Sequence, residues 1–444
     1  MNRVQYRKEA LKAALSVVLC IYFALLFGWE KAYWSVIVIV VLSGNETFSH
    51  SILKGRLRLL GTLIGACSAV VIISAFHQQR VLFLASLCLY LAVCVYLSTH
   101  RKTGYMWSTA FIVCALTASV GHFDDVATFN VMTLRLQETM LGFIVYSFVN
   151  QFIWHVNTQD HFFNLLNEVK PHLLGNPSQS DVNDTNILIK LDKLSEILQL
   201  PLHGSYQLKQ QKSYWITIVY ALKTLYLLQS TCNLTQHSLS AHGQTIVRES
   251  LKLQQITHDL KTWLEQANQI ATPAATLGAF EVNHQVRMKY ALQAVSILAT
   301  CLLIWIYLPV PSGFLLPMMA SIYSIVLVRQ PVKGAMQTGL ALMVWGSLFI
   351  LEYAVILPTL DNVFELLAFY FIHIVVIWAI YSKPQHTILK ILASNNLVIF
   401  TMGALQLVPN FDMTTSFSMI TVLFIVLAVT QIIGSLFNPS QTTG

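Results

Sequence analysis

The chain has 444 residues, of which 55% are hydrophobic and only 11% are charged. Soluble globular proteins carry charge on about a quarter of their residues, so this composition excludes a soluble protein and indicates a membrane protein. The formal net charge is +7. The basic residues flank apolar segments and form no patch with interleaved aromatic residues, so we expect no nucleic-acid partner.

Apolar segments that resemble membrane helices occur in two groups of six. The first group covers 10–28, 32–44, 56–76, 81–98, 105–120 and 131–154. The second group covers 289–309, 313–328, 334–357, 362–381, 387–407 and 416–437. We predict an all-α membrane protein with a first transmembrane half over 1–155, a cytoplasmic helical domain over 156–286 and a second transmembrane half over 287–444.

The two halves resemble each other in the order of their spans. Each starts with an R-x-x-Y sequence, at Arg3 and at Arg287, and continues with an apolar span, a short second span and a longer third one. Six spans per half give both halves the same orientation. The pattern therefore predicts a parallel internal repeat, which is a common plan among transporters.

The polar stretch between the halves contains four segments with apolar residues at helical spacing. They are FFNLLNEVKPHLL, TNILIKLDKLSEILQL, YWITIVYALKTLYLLQS and ESLKLQQITHDLKTWLEQANQI. No phosphate-binding loop or catalytic signature occurs in them, which argues against an enzyme and against an ATP-driven pump. The cysteines form no CxxC or Cys/His spacing, so we expect no metal site, no disulfide and no cofactor.

Lysine and arginine in short loops collect on the cytoplasmic side of a membrane. With the N-terminus inside, the basic clusters all fall on that side, at 3–12, 54–58, 101–102, 329–333 and 383–390. The opposite loops hold little more than Lys31 and Arg80. We therefore expect a multi-pass membrane protein with both termini and the helical domain in the cytoplasm.

Lys54, Arg58, Gly61 and Gly65 recur at steps of four, three and four, so they share one face of the third span. Gly61 and Gly65 form a GxxxG pair, which lets a second helix approach closely and brings Thr62 into hydrogen-bonding range. Two interpretations stay open. The cations either snorkel to the headgroups beside a packing seam or face a pathway for an anion.

The sixth span carries a similar motif, Arg135-x-x-Glu138-Thr139-x-x-Gly142. An ionisable residue inside a span costs about 2.5–3.5 kcal/mol on insertion scales and is a functional-site hypothesis by default. Because the third and sixth spans run in opposite directions, we expect Arg58 near the cytoplasmic face and Arg135 near the outer face. The alternative for Arg135 is a local ion pair with Glu138 near the interface.

The second span of each half is short, and the one in the second half is interrupted by Pro317. Such segments at corresponding places are the best sequence indication of a transporter's binding site. Tyr33 and Trp34 could stack on an aromatic substrate there or could belong to the interfacial aromatic belt. Glu352 and His373 lie in later spans as candidates for proton coupling, although the sequence shows no partner for either.

The stretch GWEKAYWSVIVIVVLSGNETFSHSILKGRLRLLGTLIGA resembles the fusaric acid resistance protein family of bacterial inner-membrane exporters. That family typically has a tryptophan at the start of a short second span, then a basic loop and R-x-x-G-T-x-x-G. The matching residues are Trp34, Arg58, Gly61, Thr62 and Gly65, followed in the sixth span by Arg135, Thr139 and Gly142. The second half departs from the pattern, with Met336 in the place of the arginine.

The resemblance implies export of hydrophobic or aromatic carboxylic acids, often with a periplasmic membrane-fusion partner. Because the family also resembles plant aluminium-activated malate channels, a passive anion channel stays open, as does a non-transporting membrane scaffold. We expect a homo-oligomer in contact with membrane lipids that exports a small organic anion with proton coupling. The expected substrate-binding residues are Arg58, Arg135, Tyr33, Trp34, Thr62, Glu138 and Thr139, and the expected helix-packing residues are Gly61, Gly65 and Gly142.

Overall fold

The structure is a computed structural model that describes most of the chain. The described residues are 3–44, 48–76, 78–100, 102–120, 125–153, 158–174, 185–200, 205–230, 234–270, 283–310, 313–329, 332–383 and 386–437. Within these ranges the secondary structure is helical and contains no β-strand. The expectation of an all-α protein is therefore confirmed for the part of the chain that the structure describes.

Six helices cover the first group of apolar segments. They are α1 (Arg3–Leu26), α2 (Tyr33–Ser43), α3 (Phe48–Phe76), α4 (Arg80–Ser98), α5 (Gly104–Val120) and α6 (Asp125–Phe152). Helices α3 and α6 start well before the predicted 56 and 131, because their polar first turns contain no proline and are compatible with a helix. Arg58 and Arg135 consequently lie in the interior of their helices, about 15 Å along the axis from each start.

The described residues in the middle of the chain form six more α-helices. They are α7 (Thr158–Leu174), α8 (Thr185–Gln199), α9 (Tyr206–Gln210), α10 (Lys212–Ser230), α11 (Leu234–Leu253) and α12 (His258–Ile270). The fourth segment with helical spacing, 249–270, covers parts of two helices, because the chain breaks between α11 and α12. Gln254 adopts a positive φ of 53° there, and the Thr257 hydroxyl accepts from the Leu260 N–H at 3.3 Å and so helps to start α12.

Six helices follow in the last part of the chain. They are α13 (His284–Tyr307), α14 (Leu315–Val326), α15 (Val332–Val355), α16 (Val363–Ile380), α17 (Thr387–Phe400) and α18 (Met413–Phe437). At the start of α18, the Asp412 carboxylate accepts from the backbone N–H and the hydroxyl of Thr414, at 2.9 and 2.6 Å. These hydrogen bonds lower the pKa of Asp412, since they stabilise its ionised form.

Seven described helices are long and apolar enough to cross a membrane. These candidate spans are Arg7–Leu26, Ser49–Phe76, Arg80–Ser98, His284–Tyr307, Gly339–Thr359, Val363–Ile380 and Met413–Phe437. Four further apolar helices are shorter, namely Tyr33–Ser43, Gly104–Ser119, Leu315–Val326 and Thr387–Phe400. Helix α6 belongs to neither group. The multi-pass membrane character is thus confirmed, and the number of crossings stays a prediction.

The chain divides into two compact units. One unit contains Met1–Asn45, Lys54–Trp154 and Val282–Gly444, so the two predicted membrane halves belong to the same unit. The other contains Glu46–Leu53 and His155–Glu281. Its core is made of the apolar faces of α7, α8, α10, α11 and α12, with Phe162, Trp215 and Trp263 among the buried side chains.

In the first unit, helices of the first group of six and helices of the last group of six make corresponding contacts. Helix α1 packs against α2, α6 and α16, and α13 packs in the same way against α14, α18 and α4. Helix α14 packs against α5, and α17 against α2. The contacts of α1, α2 and α4 therefore correspond to those of α13, α14 and α16.

The packing glycines lie where helices touch through their backbones. A Cβ added to Gly61 would lie 2.5 Å from the Met106 carbonyl oxygen of α5, and one added to Gly65 would collide with the Ala110 carbonyl oxygen. A Cβ on Gly142 would lie 2.7 Å from the Ser35 carbonyl oxygen of α2. Helix α3 can approach α5, and α6 can approach α2, only because these positions lack a side chain.

We predict that Gly61→Ala lowers the free energy of unfolding by about 1–3 kcal/mol, because the methyl group forces apart two helix backbones that cannot repack. Thermal unfolding of the detergent-solubilised protein measures the effect. The matched control is Gly339→Ala, whose Cβ would lie 3.3 Å from the flexible end of Leu427. Equal unfolding temperatures for the two variants would contradict the assigned contact.

Candidate functional site

The first unit encloses a cavity of about 390 Å³ between seven helices. Helices α2, α3, α5 and α6 form one wall, and α14, α17 and α18 form much of the other. Both short second helices, α2 and α14, contribute to it, at the place where the sequence predicts a binding site. All the expected substrate-binding residues line this cavity: Tyr33, Trp34, Arg58, Thr62, Arg135, Glu138 and Thr139.

Arg135 is the most constrained cation of the cavity. Its side chain is buried, and its Cζ atom lies 3.3 Å from the centre of the Trp34 ring. A guanidinium stacked on an indole gains a cation–π attraction that is largest where water is excluded. The Trp34 and Tyr33 side chains both line the cavity, which favours the stacking interpretation over an aromatic belt at the membrane surface.

Glu138 lies beside Arg135, one helical turn further along α6. The Arg135 Nη1 and Glu138 Oε2 atoms are 3.8 Å apart, and only 1% of the Glu138 side chain is exposed. One expectation from the sequence is a local ion pair of these two residues near the membrane interface. The structure shows the two side chains close together, and both line the cavity. At 3.8 Å the two groups attract each other without a hydrogen bond.

Several polar atoms of this wall are buried and have no hydrogen-bond partner. They are Trp34 Nε1, Arg58 Nε, Arg135 Nη1 and both carboxylate oxygens of Glu138. More than 90% of buried polar groups in proteins are paired, and leaving one unpaired costs about 1–3 kcal/mol. The three unsatisfied N–H donors beside the cavity suit a polar ligand that supplies acceptors, and the Glu138 carboxylate suits one that also supplies a donor.

Arg58 presents a second guanidinium to the same cavity. Its Nη1 donates to the Tyr105 hydroxyl of α5 at 2.9 Å, and Lys54 Nζ lies 5.9 Å from the centre of the same Tyr105 ring. Arg56 is exposed. Lys54 and Arg58 thus share the face that the spacing predicts, and Arg56 lies on another.

The two threonines of the repeated motif bond within their own helices. Thr62 Oγ1 donates to the Arg58 carbonyl oxygen at 2.8 Å, and Thr139 Oγ1 donates to the Arg135 carbonyl oxygen at 2.7 Å. The expectation that Thr62 hydrogen-bonds across the glycine seam is therefore not met. Each hydroxyl uses its single O–H to donate this hydrogen bond to the backbone. Towards the cavity, its oxygen can therefore act only as an acceptor.

The opposite wall has a different chemistry. Four methionines line it, Met318 and Met319 from α14 together with Met402 and Met419. Methionine is flexible and polarisable, so it adapts to irregular apolar shapes. Asn395 of α17 adds one buried amide oxygen without a partner. Arg58 and Arg135 thus lie on one side of the cavity, and the four methionines lie on the other.

Arg329 is a cavity residue that sequence reasoning assigned only to membrane topology. It follows α14, lines the cavity, and donates a hydrogen bond to the Ser98 hydroxyl at the end of α4. Its position just after the short helix of the second half was the signal that could have revealed it. Three arginines and one glutamate line the cavity, which gives a charge of +2 when all are ionised.

The structure also corrects the view of Glu352 and His373 as residues without partners. His373 Nε2 lies 3.1 Å from Glu352 Oε1, so α16 and α15 are joined by this pair. Neither residue lines the cavity described above. Spacing could not reveal the pair because the two residues lie on different helices.

Residues 8–174 match the sequence profile of the fusaric acid resistance protein family, so the resemblance is confirmed over this part of the chain. Three relatives are named p-hydroxybenzoic acid efflux pump subunit AaeB. One from Musicola paradisiaca is 29% identical over 145 residues, 30% of this chain and 22% of the relative. One from Salmonella paratyphi A is 27% identical over 148 residues, 31% of this chain and 23% of the relative.

The third relative, from Escherichia coli, is 24% identical over 150 residues, 32% of this chain and 23% of the relative. The matched part of the chain thus spans less than a quarter of the length of these relatives. No solved structure matches the chain. The family match, residues 8–174, includes Arg58 and Arg135 of the cationic wall and does not reach the methionines of the other wall.

We predict that Arg135→Gln destabilises the protein more than the double variant Arg135→Gln/Glu138→Gln. Removing one partner of a buried ion pair costs about 3–5 kcal/mol because it leaves an uncompensated charge, whereas removing both charges costs less. Thermal unfolding of the single and double variants compares the two. A double variant as unstable as the single one would contradict a direct interaction between these side chains.

Proposed function

We propose that this protein exports aromatic or other amphipathic organic anions across the bacterial inner membrane through the cavity between its two groups of six helices. The observation that carries the proposal is the pairing of two walls, with the buried Arg135 and the half-buried Arg58 on one side and methionines on the other. A carboxylate and an apolar body need these two environments at once. The volume of about 390 Å³ falls in the range of small-molecule sites, about 300–1,000 Å³.

In the loaded state the carboxylate bonds to Arg135 and Arg58. The unpartnered Arg135 Nη1 and Arg58 Nε would then find the acceptors that they lack, and charge-assisted hydrogen bonds of this kind are the strong ones. The Trp34 and Tyr33 rings contact the ring of the substrate. Its apolar end lies against the methionines, and the Asn395 amide oxygen accepts from any hydroxyl that it carries.

The relatives support the class of cargo. They are named as efflux pump subunits for p-hydroxybenzoic acid, and the match to the fusaric acid resistance protein family includes the cationic wall. A multi-pass membrane protein of this family is a transporter rather than an enzyme. We further propose that the chain works as a homo-oligomer in contact with membrane lipids and joins a periplasmic membrane-fusion protein, since the relatives are named subunits.

The helix contacts support the proposed parallel repeat and its orientation. The contacts of α1 with α16 and of α13 with α4 are what a repeat of six helices would produce. Arg329 bonds to Ser98, and the Tyr96 hydroxyl lies 2.9 Å from His284 Nδ1. These contacts join segments that the charge pattern assigns to the same side. We therefore retain both termini and the helical domain in the cytoplasm.

A passive anion channel is the second candidate, and the charge of the cavity favours it. Three arginines along one cavity resemble the charged linings that select anions in pores, and Arg329 is exposed. A channel conducts down the electrochemical gradient without protons. A carrier of the proposed kind uses the proton gradient, so a protonophore separates the two.

Inverted membrane vesicles that contain the protein are expected to accumulate radiolabelled p-hydroxybenzoate, and a protonophore is expected to abolish the accumulation. Arg58→Gln and Arg135→Gln should each lower the rate at least tenfold. Loss of one charge-assisted hydrogen bond costs about 1.5–3 kcal/mol, and 1.4 kcal/mol corresponds to a factor of ten.

Arg56→Gln is the matched control, because Arg56 is exposed on the same helix and does not line the cavity. Its transport rate should stay within about twofold of the wild-type rate. In free energy, such a difference is far smaller than the loss of one charge-assisted hydrogen bond. Flux that survives the protonophore and follows the membrane potential would favour the channel. Full transport in both cavity variants would overturn the proposed site.

A further inference from the structure

A half-buried histidine–glutamate pair connects two candidate membrane spans and lies outside the lining of the anion site. His373 lies in Val363–Ile380 and Glu352 in Gly339–Thr359. Their side chains are 20% and 14% exposed, and His373 Nε2 lies 3.1 Å from Glu352 Oε1. Ionisable residues in membrane spans are costly, so a pair of them calls for a function.

The hydrogen bonds of the pair fix how many protons it holds. His373 Nδ1 lies 2.8 Å from the Phe369 carbonyl oxygen, which can only accept, so Nδ1 carries a proton. On the other side, Nε2 faces the carboxylate. Either Nε2 carries a proton and Glu352 is ionised, or Glu352 is protonated and donates to Nε2. In both cases one further proton lies between Nε2 and Oε1.

Loss of that proton leaves the pair in an unfavourable state. The Nε2 lone pair would then face an ionised carboxylate, with no donor between them. Glu352 Oε2 is buried without a partner, so the charge would gain little from other groups. Phe349 and Phe369 lie against the imidazole ring, with centroid distances of 6.3 and 4.1 Å. Apolar surroundings of this kind disfavour a net charge on the pair.

The helices packed against the pair bring no competing charge to it in the described part of the chain. Helix α18 contains no titratable residue. On the other neighbouring helices, titratable side chains are engaged elsewhere. Tyr353 bonds to the Asn410 carbonyl, Tyr370 to Thr401 and Glu365 to the Asp361 N–H, while Lys390 lies over the Trp378 ring.

Helix α1 packs against α16 and carries the remaining candidates. Its basic and acidic residues are at its start, where Glu9 interacts with Lys390 beside the last turn of α16. Further along α1, Cys20 lies against Ser35 of α2, and Tyr22 is exposed. In the described part of the chain, these helices therefore bring no third charged group into contact with the histidine–glutamate pair.

We propose that Glu352 and His373 form the proton-binding site of the exporter and take up one proton per transport cycle, an inference that rests on the proposed function. Proton release breaks the contact between α15 and α16. Both helices are bonded to α17, through Asn396 Nδ2 to the Leu342 carbonyl at 3.0 Å and through Tyr370 to Thr401 Oγ1 at 2.6 Å. Since α17 lines the anion cavity, a change in the pair moves the cavity wall.

Transport measurements separate coupling from folding. Glu352→Gln and His373→Gln should each lower proton-driven accumulation of p-hydroxybenzoate in vesicles at least tenfold. Exchange of internal for external substrate, which needs no net proton movement, should fall by no more than about threefold. Glu365→Gln, a carboxylate on α16 outside the pair, is the matched control and should keep both activities. Unchanged accumulation in both pair variants would overturn the proposal, and so would equal losses of accumulation and exchange.

A second measurement does not depend on any substrate. Nitrogen NMR of the full chain labelled in its 14 histidines and held in lipid nanodiscs should show the His373 ring, identified by its loss in His373→Gln. If the shared proton lies on the histidine, the NMR spectrum at neutral pH should show a protonated Nε2, and Glu352→Gln should remove that signal. If it lies on the glutamate, the infrared spectrum should show the band of a protonated carboxylic acid, and Glu352→Gln should remove that band. If neither signal depends on Glu352, the pair holds no shared proton.

The two failures are distinguishable. Wild-type vesicles that neither accumulate nor exchange an aromatic carboxylate would refute the proposed function. The spectroscopic result would still decide whether the pair binds a proton. Transport that is coupled to protons but indifferent to both substitutions would refute only the assignment of the proton site.

Discussion

The cavity depends on the burial of one guanidinium, that of Arg135, in an apolar helical unit. An isolated charge there would be expelled or neutralised. The Trp34 ring and the Glu138 carboxylate make its burial tolerable. Trp34 can reach the guanidinium only because α2 and α6 lie close together, and Gly142 permits that approach. The glycine at position 142 of α6 thus makes possible the contact between Arg135 of the same helix and Trp34 of α2.

The motif that occurs in both α3 and α6 combines a charged, a polar and a small residue with different roles. In R-x-x-x-T-x-x-G the arginine faces the cavity, the threonine hydroxyl bonds to the arginine's own carbonyl, and the glycine admits the neighbouring helix. Steps of four and three keep all of them on one side of a helix. In α3 the neighbour is α5, whose Tyr105 holds Arg58. In α6 it is α2, whose Trp34 holds Arg135.

Much of the cationic wall was predictable from sequence because its signals are local. Charges within apolar segments and glycines at helical spacing identify Arg58, Arg135 and their companions without any knowledge of the tertiary structure. The methionine wall, Asn395 and the pairing of Glu352 with His373 were not predictable in this way. They arise from contacts between segments far apart in the chain, and an apolar residue that lines a cavity has the same sequence pattern as one in the core. The starts of α3 and α6 were missed because hydropathy marks apolar stretches, whereas helices extend into polar turns.

The separation of the two walls has an evolutionary consequence. In the proposed transporter, Arg58 and Arg135 lie on α3 and α6, while the four methionines lie on α14, on α18 and just after α17. A side chain that contacts the apolar end of a substrate can therefore be exchanged with both of these arginines left in place. Under the proposed function, such a partition lets selectivity diverge without disturbing the buried charge of Arg135.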